Sequence, residues 1–224
     1  MGIVSLNTDG VDLPRYIAVE GPIGVGKTTL AKRVAEALHY PALLEPVSEN
    51  PFLDRFYREG GRHALPTQLF FLLHRARQIA EVTRGDLFGP TVVSDFLFAK
   101  DRLFAEITLD RNEFALYEQI HDQLAVDAPP PDLVVYLQAP ANVLLERIRR
   151  RGVPSEQHIA SEYLGALIDA YARFFHFYDE APLLIVNAAE IDIADKDDHF
   201  NELLSRIVQK SGTRRYYNPH PTLI

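Results

Sequence analysis

Residues 21–28 read Gly21-Pro22-Ile23-Gly24-Val25-Gly26-Lys27-Thr28, a complete G-x-x-x-x-G-K-[ST] phosphate loop. The apolar run Tyr16–Val19 precedes this loop, and a helical pattern that starts at Thr29 follows it. In the order strand, loop and helix, glycine-rich backbone N–H groups and a helix N-terminus can surround phosphate oxygens. The stretch therefore predicts a nucleoside triphosphate site rather than a turn without a ligand.

Two side chains of the loop have a specific chemical task. Lys27 is expected to reach the β- and γ-phosphates, and the Thr28 hydroxyl is expected to ligate Mg²⁺. The backbone of residues 21–26, together with Thr29 in the first turn of the helix, is expected to line the triphosphate.

The composition is that of an ordinary globular chain of 224 residues, with 47% hydrophobic and 24% charged residues. A formal charge of −8 argues against a surface that coats nucleic acid or an anionic membrane. Residues 1–14 contain Asp9 and Asp12 and have no apolar segment, so no signal peptide is predicted. The sequence has no cysteine and no apolar run of about 18 residues that would span a membrane. A cytoplasmic protein without nucleic-acid or membrane partners is the default expectation.

Short apolar runs alternate with helical patterns along the chain. Five strands are predicted, at Tyr16–Glu20, Ala42–Glu45, Thr91–Asp95, Leu133–Ala139 and Leu183–Ala188. The helical patterns cover about 28–39, 52–58, 66–83, 100–126 with a break near Asp110, 141–151, 156–179 and 197–210. This alternation predicts an α/β protein with the three-layer P-loop NTPase fold, in which helices flank a five-stranded parallel sheet. One domain is expected over residues 1–224, with a core at about 15–210 and an aperiodic tail over 211–224.

Carboxylates stand at the ends of two predicted strands. In an open parallel sheet the reactive centre lies beyond the C-terminal ends of the strands, so Glu45, Asp95 and the phosphate loop are expected to surround one crevice. A carboxylate at a strand end is often only a cap or a salt-bridge partner, but two of them beside a phosphate loop favour function. We expect Asp95 to join Thr28 as a Mg²⁺ ligand.

Several further runs resemble the deoxynucleoside kinase family, whose members are relatives of the thymidylate kinases. The resemblance extends from about residue 15 to 188 and rests on the order and spacing of the runs. They are Leu44-Glu45-Pro46-Val47, Asn50-Pro51-Phe52-Leu53 with Phe56-Tyr57, Gln68 with Arg75, Lys100-Asp101-Arg102, Tyr136-Leu137-Gln138-Ala139, and Arg147, Arg151-Gly152 and Glu156-Gln157 with Tyr163-Leu164. The resemblance implies a homodimeric kinase that transfers phosphate from ATP, with Mg²⁺, to the 5′-hydroxyl of a deoxynucleoside.

The resemblance also implies roles for residues around the acceptor. A sugar hydroxyl has a pKa far above 7, so it benefits from a carboxylate that accepts its proton, and Glu45 matches that base. Gln68 and Arg75 are seven residues apart on one helix face and, with Asp101, match the residues that read the nucleobase. From the spacing alone, a solvated helix face with an Arg–Asp surface pair is the alternative.

Tyr57 and residues after the fourth predicted strand match the sugar-binding and lid positions of the family. By resemblance, Tyr57 and Glu156 hold the 3′-hydroxyl of the sugar. Arg147 and Arg151 belong to an arginine-rich lid at about 147–157, where positive charge is expected to act catalytically on the moving γ-phosphate. The alternative is that these arginines only favour a helix C-terminus through the macrodipole.

The sequence departs from the family pattern after the third predicted strand. Asp95 is followed by Phe96, where the family usually carries an arginine that touches the phosphates and the base carboxylate. Lys100 or a lid arginine is a hypothetical replacement. Asn50 stands where some relatives have a tryptophan, which leaves more room for a purine and slightly favours purine deoxynucleosides.

Two other functions remain open at this point. One is a thymidylate-type nucleoside monophosphate kinase, which would need extra arginines facing Glu45. The other is a nucleotide-dependent switch, although the sequence has no N-K-x-D guanine motif.

Overall fold

A computed structural model describes residues 13–84, 91–124, 128–209 and 212–219. Its centre is a six-stranded sheet in the order β2-β3-β1-β4-β5-β6, in which every pair of neighbours is parallel. The strands are Tyr16–Glu20 (β1), Ala42–Leu43 (β2), Val92–Ser94 (β3), Leu133–Gln138 (β4), Leu183–Asn187 (β5) and Arg214–Tyr217 (β6).

Eight α-helices are found in the described part of the chain. They are Lys27–Leu38 (α1), Leu53–Glu59 (α2), Ala64–Thr83 (α3), Asp101–Thr108 (α4), Arg111–Leu124 (α5), Ala141–Arg151 (α6), Ser161–Phe177 (α7) and Asp197–Val208 (α8). All five residues of β1 are buried, although successive side chains of a strand point to opposite faces. Helices therefore cover both faces of the sheet, as the continuous apolar runs predict.

The predicted number of five strands was wrong, because β6 lies in the segment predicted to be an aperiodic tail. Arg214 pairs with Leu183 in parallel register, and the Leu183 N–H donates to the Thr213 carbonyl at 2.8 Å. Strand pairing uses backbone groups, so it does not require an apolar alternation. The polar side chains of an edge strand conceal it from pattern analysis.

Several element boundaries differ from the predictions, and contacts explain two of them. β2 ends at Leu43 because the Glu45 N–H donates to a side chain, that of Asp95, instead of joining the ladder. α7 begins at Ser161 because the buried Ile159 is extended, which separates the helix from a short 3-10 turn at Ser155–His158.

The predicted break near Asp110 is present between α4 and α5. The Asp110 carboxylate accepts from the Asn112 and Glu113 N–H groups at 2.8 and 2.9 Å, so it caps α5.

Some predictions fall outside the described residues. The absence of a signal peptide concerns mainly residues 1–12, which are not described. The predicted helix ends at 125–126 and at 210, and the tail residues 211 and 220–224, also lie outside the described ranges. A single domain over 1–224 thus stays a prediction. Within the described ranges, no helix is long and apolar enough to cross a membrane.

Candidate active site

The phosphate loop connects β1 to α1, and two of its glycines fit only without a side chain. Gly21 has φ +148° and a Cβ there would lie 2.4 Å from the Leu137 carbonyl oxygen. Gly24 has φ +84°, and a Cβ there would lie 2.8 Å from Ile148 Cγ1. The loop thus lies tightly against β4 and α6, with the N-terminus of α1 beside it.

Lys27, at the start of α1, turns back over the loop. Its Nζ donates to the Gly21 carbonyl at 2.8 Å and the Pro22 carbonyl at 3.3 Å. Burial lowers the pKa of Lys27, and the neighbouring Glu20 carboxylate opposes this shift. The structure therefore holds the predicted phosphate-binding ammonium at the loop itself.

Thr28 and Asp95 meet at the mouth of the loop, as a shared Mg²⁺ site requires. The Thr28 hydroxyl donates to Asp95 Oδ2 at 2.5 Å, and Asp95 Oδ1 accepts from the Glu45 N–H at 2.8 Å. Burial and the nearby Glu45 charge raise the pKa of Asp95, and a bound cation would oppose that effect.

These oxygens suit Mg²⁺, a hard cation that protein sites usually hold through one or two carboxylates together with phosphate oxygens and water. Among the described residues, no group of three or more His, Cys, Asp or Glu is arranged to hold a metal on its own. The pair therefore fits a metal that arrives with a triphosphate.

Glu45, Arg75 and Asp101 form a chain of buried charges. Arg75 Nε donates to Glu45 Oε1 at 2.6 Å, Nη2 donates to the same oxygen, and Nη1 donates to Asp101 Oδ1. Arg75 and Asp101 are 3% and 2% exposed. Burial opposes ionisation of Glu45, but Arg75, Lys100 and Lys27 outweigh it and hold the pKa of Glu45 below its ordinary value.

Gln68 shares helix α3 with Arg75 and is also buried, at 5% exposure. Its Nε2 donates to the Thr108 hydroxyl of α4 at 3.3 Å. A solvated helix face, the alternative that the spacing left open, is therefore excluded. The structure buries an amide on α3 and an ion-paired guanidinium and carboxylate between α3 and α4, which are groups that can read paired donors and acceptors.

Tyr57 and Glu156, the predicted sugar-binding residues, lie close enough to interact electrostatically. Burial raises the pKa of Tyr57, and the nearby Tyr163 and Glu156 add to this rise. Glu156 is 6% exposed and accepts a hydrogen bond from Arg151 Nη2. Tyr57 also contacts Tyr163, with ring centroids 6.5 Å apart.

The two lid arginines, which are one helix turn apart, bind different partners. Arg147 Nη2 donates to the carbonyls of Ala188, Ala189 and Ile191 at 2.7, 3.2 and 3.1 Å. Arg151, whose side chain is 49% exposed, binds Glu156 instead. Loop carbonyls accept from the guanidinium of Arg147, and a carboxylate binds that of Arg151. A spacing of one helix turn therefore does not make the two side chains point together.

Arg147 borders a cavity of about 610 Å³ beside the phosphate loop. The loop, α6 and residues 189–195 line this cavity, together with Thr29. Its size suits the nucleoside part of a nucleoside triphosphate whose phosphates lie in the loop.

A buried ion pair behind the phosphate loop was missed in the sequence. Lys100 Nζ lies 3.1 Å from Glu20 Oε1, and the two side chains are 1% and 0% exposed. Glu20 also accepts from the N–H groups of Gly21 and Leu97 and from the Tyr171 hydroxyl, at 3.1, 2.7 and 2.9 Å. The sequence signal for this ion pair was Glu20, a charged residue at the end of the otherwise apolar β1.

This pairing bears on the residue that replaces the family arginine. Phe96 is fully buried in an apolar cluster with Leu72 and Ala76. In this structure the Lys100 ammonium pairs with Glu20. The guanidinium that contacts Glu45 belongs to Arg75.

A phosphate loop between the first strand and first helix of an all-parallel sheet defines the class of P-loop nucleotide-binding proteins. The family model described as deoxynucleoside kinase matches residues 17–211, and this chain belongs to that family. The chain is 37% identical over 182 residues to the deoxyguanosine kinase of Bacillus subtilis strain 168, covering 80% of this chain and 88% of that protein.

Two further similarities extend this result. The deoxyadenosine kinase of Lactobacillus acidophilus is 27% identical over 207 residues, which is 88% of this chain and 96% of that protein. The structure of deoxyadenosine kinase from M. mycoides with bound dATP matches with a TM-score of 0.74 at 22% identity, covering 86% of this chain and 98% of that one. The structural match supports the α/β fold with its parallel sheet.

Proposed function

We propose that this protein transfers the γ-phosphoryl group of ATP to the 5′-hydroxyl of deoxynucleosides, with purine deoxynucleosides preferred. The observation that carries the proposal is the position of Glu45. Its backbone contacts Asp95 beside the phosphate loop, and its carboxylate contacts Arg75 of the buried Gln68, Arg75 and Asp101 set. One carboxylate thereby joins a phosphate site to a base-reading site.

The chemistry of each part follows from its charge and position. Glu45, held in the ionised form, accepts the proton of the 5′-hydroxyl as that oxygen bonds to the γ-phosphorus, while the bond from this phosphorus to the β–γ bridging oxygen breaks and ADP leaves. Lys27 and the loop N–H groups hold the phosphates, and Mg²⁺ held by Thr28 and Asp95 would neutralise phosphate charge. Arg151 supplies positive charge from the lid if it moves from Glu156 to the γ-phosphate.

The remaining roles are also proposals. Tyr57 and Glu156 bind the 3′-hydroxyl, a role supported by their burial and by the electrostatic interaction between them. Arg147 is better placed to hold the loop at residues 188–191, beside the donor nucleoside, than to touch the γ-phosphate.

The acceptor is proposed to be an uncharged nucleoside rather than a monophosphate. Arg75 is already paired with two carboxylates, so it offers little net positive charge to an acceptor phosphate. The purine preference agrees with the names of the relatives, and a guanidinium with an amide suits the O6, N6 and N7 groups of purines.

The proposal is tested by phosphate transfer from labelled ATP to a panel of deoxynucleosides and their monophosphates. We expect 5′-monophosphates to form from deoxyguanosine and deoxyadenosine with the highest kcat/KM. Transfer to monophosphates alone, or ATP hydrolysis without transfer to any acceptor, would contradict the proposal.

Asp95→Asn is expected to raise the Mg²⁺ concentration needed for half-maximal activity about ten-fold or more, because a metal ligand loses its charge. ATP binding in the presence of EDTA is expected to stay close to that of the parent. The measurement is a Mg²⁺ titration of initial rates. Asp169→Asn, on the exposed surface of α7, is the matched control and should not shift the titration. An unshifted titration for Asp95→Asn would remove this residue from the metal site.

The oligomeric state and location expected from the sequence stay proposals. Leu73 of α3 and Leu116 of α5 are large apolar residues that are 38% and 46% exposed, which supports a homodimer that covers these helices. A cytoplasmic location rests on the sequence expectation alone.

A further inference from the structure

Tyr117 is the one buried residue among the described residues of α5. It lies next to Asp101, one of the three proposed base-reading residues. The side chain is 0% exposed, and its hydroxyl donates to Asp101 Oδ2. Its ring lies among apolar and aromatic neighbours, with the Phe114 ring centroid 6.2 Å away. Helix α5, whose other residues are at least partly exposed, thus places the Tyr117 hydroxyl against Asp101.

The hydroxyl is not needed to fill space, because a phenylalanine would occupy the same apolar surroundings. Burial and the Asp101 carboxylate raise the pKa of Tyr117, so its hydroxyl remains a donor. Asp101 is therefore held from two sides, by Tyr117 on Oδ2 and by Arg75 on Oδ1. Each carboxylate oxygen still has a lone pair available for a third donor.

The contacts continue from Asp101 to the proposed catalytic base. Arg75 binds Asp101 through Nη1 and Glu45 through Nε and Nη2, so three of its five N–H groups are used and two remain for a nucleobase. Tyr117, Asp101, Arg75 and Glu45 are thus one chain of hydrogen-bonded groups. Because Arg75 binds both carboxylates, a change in the orientation of Asp101 also changes the orientation of the Arg75 guanidinium, which is proposed to contact the nucleobase.

We propose that Tyr117 is a positioning residue that sets base selectivity by fixing the Asp101 carboxylate and, through it, the Arg75 guanidinium. The proposal rests on the proposed function, since it assigns a role in reading the deoxynucleoside. Tyr117 touches neither substrate nor phosphate; it acts only through Asp101.

The acceptor chemistry gives the direction of the effect. A fixed carboxylate accepts from base N–H groups and repels a base that presents a carbonyl oxygen in the same place. Thymine presents its O4 acceptor where adenine presents the N6 amino group, so a rigid Asp101 favours deoxyadenosine over thymidine; guanine, which presents O6 there, is not discriminated by this contact. Without the Tyr117 hydroxyl, Asp101 can turn away, and discrimination against thymidine weakens.

The experiment compares Tyr117→Phe with the parent on deoxyadenosine and on thymidine. We expect the ratio of the two kcat/KM values to fall roughly ten-fold, as loss of a hydrogen bond to a charged group predicts. The KM for deoxyadenosine should rise, whereas the KM for ATP should stay within about twofold, because the donor site is untouched. Both acceptors are measured on one preparation, so the ratio does not depend on the folded fraction.

The matched control is Tyr178→Phe, which removes another buried tyrosine hydroxyl. Tyr178 is 6% exposed, and its hydroxyl has no hydrogen-bond partner within the described residues. The selectivity of this variant should equal that of the parent.

A second variant separates positioning from general damage. Asp101→Asn should also relax selectivity, and adding Tyr117→Phe to it should change the ratio little further, because the hydroxyl acts through the carboxylate. Unchanged selectivity in Tyr117→Phe, an equal loss of kcat/KM for both acceptors, or additive effects in the double variant would overturn the inference. A parent that phosphorylates no deoxynucleoside would overturn the proposed function and this inference with it.

Discussion

Glu45→Gln is expected to lower kcat for the deoxynucleoside by about 10²–10⁴-fold, the usual contribution of a general base. The amide keeps the shape of the side chain but cannot accept the proton of the 5′-hydroxyl. Arg75 retains its ion pair with Asp101, so the fold is expected to persist. The measurement is single-turnover phosphate transfer at saturating ATP and deoxynucleoside.

Donor binding separates a catalytic effect from a general one. ATP affinity, measured by calorimetry, should stay within about threefold of the parent, because the Glu45 carboxylate contacts Arg75 rather than the phosphate loop. Glu49→Gln is the matched control, since Glu49 is exposed in the adjacent 3-10 turn and should leave kcat unchanged. If Glu45→Gln turned over at the parental rate, Glu45 would have no part in the mechanism.

Lys100→Met is expected to lower the free energy of unfolding by about 3–5 kcal/mol, the range for breaking a buried ion pair from one side. Glu20 would keep its hydrogen bonds from Gly21, Leu97 and Tyr171 but would lose its countercharge in a site with 0% exposure. The measurement is urea unfolding, with the midpoint and slope compared between variants.

Two further variants test whether the broken ion pair causes the loss of stability in Lys100→Met. Lys32→Met removes an exposed lysine of α1 and should change the free energy of unfolding by less than about 0.5 kcal/mol. Adding Glu20→Gln to Lys100→Met should recover part of the loss, because no charge is then left buried without a partner. A Lys100→Met protein as stable as the parent would show that Glu20 does not need this ammonium.

Features that depend on residues adjacent in the chain could be predicted from the sequence. The phosphate loop is one of them, since positive φ at Gly21 and Gly24 and the start of a helix at Lys27 are local properties. The bounds of β1 were predicted correctly for the same reason, because a strand covered on both faces is apolar along most of its length.

The base-reading residues could be predicted only in part. The resemblance named Gln68, Arg75 and Asp101, and the helix period placed the first two on one face. It did not show that Arg75 also binds Glu45, which is 30 residues away in the chain. Tyr117 had no sequence signal, because one tyrosine on a polar helix is an ordinary pattern.

The sequence by itself determined the class of fold, the phosphate loop and the family, since each follows from residue types at short, regular spacing. Only the tertiary structure decided how charges are paired: Arg75 between two carboxylates, Lys100 with Glu20, and the lid arginines apart. It also decided that residues 214–217 form a sixth strand. The physical reason is that ion pairs and backbone ladders join groups distant in the chain, and burial selects the partners that leave the fewest charges and N–H groups unpaired.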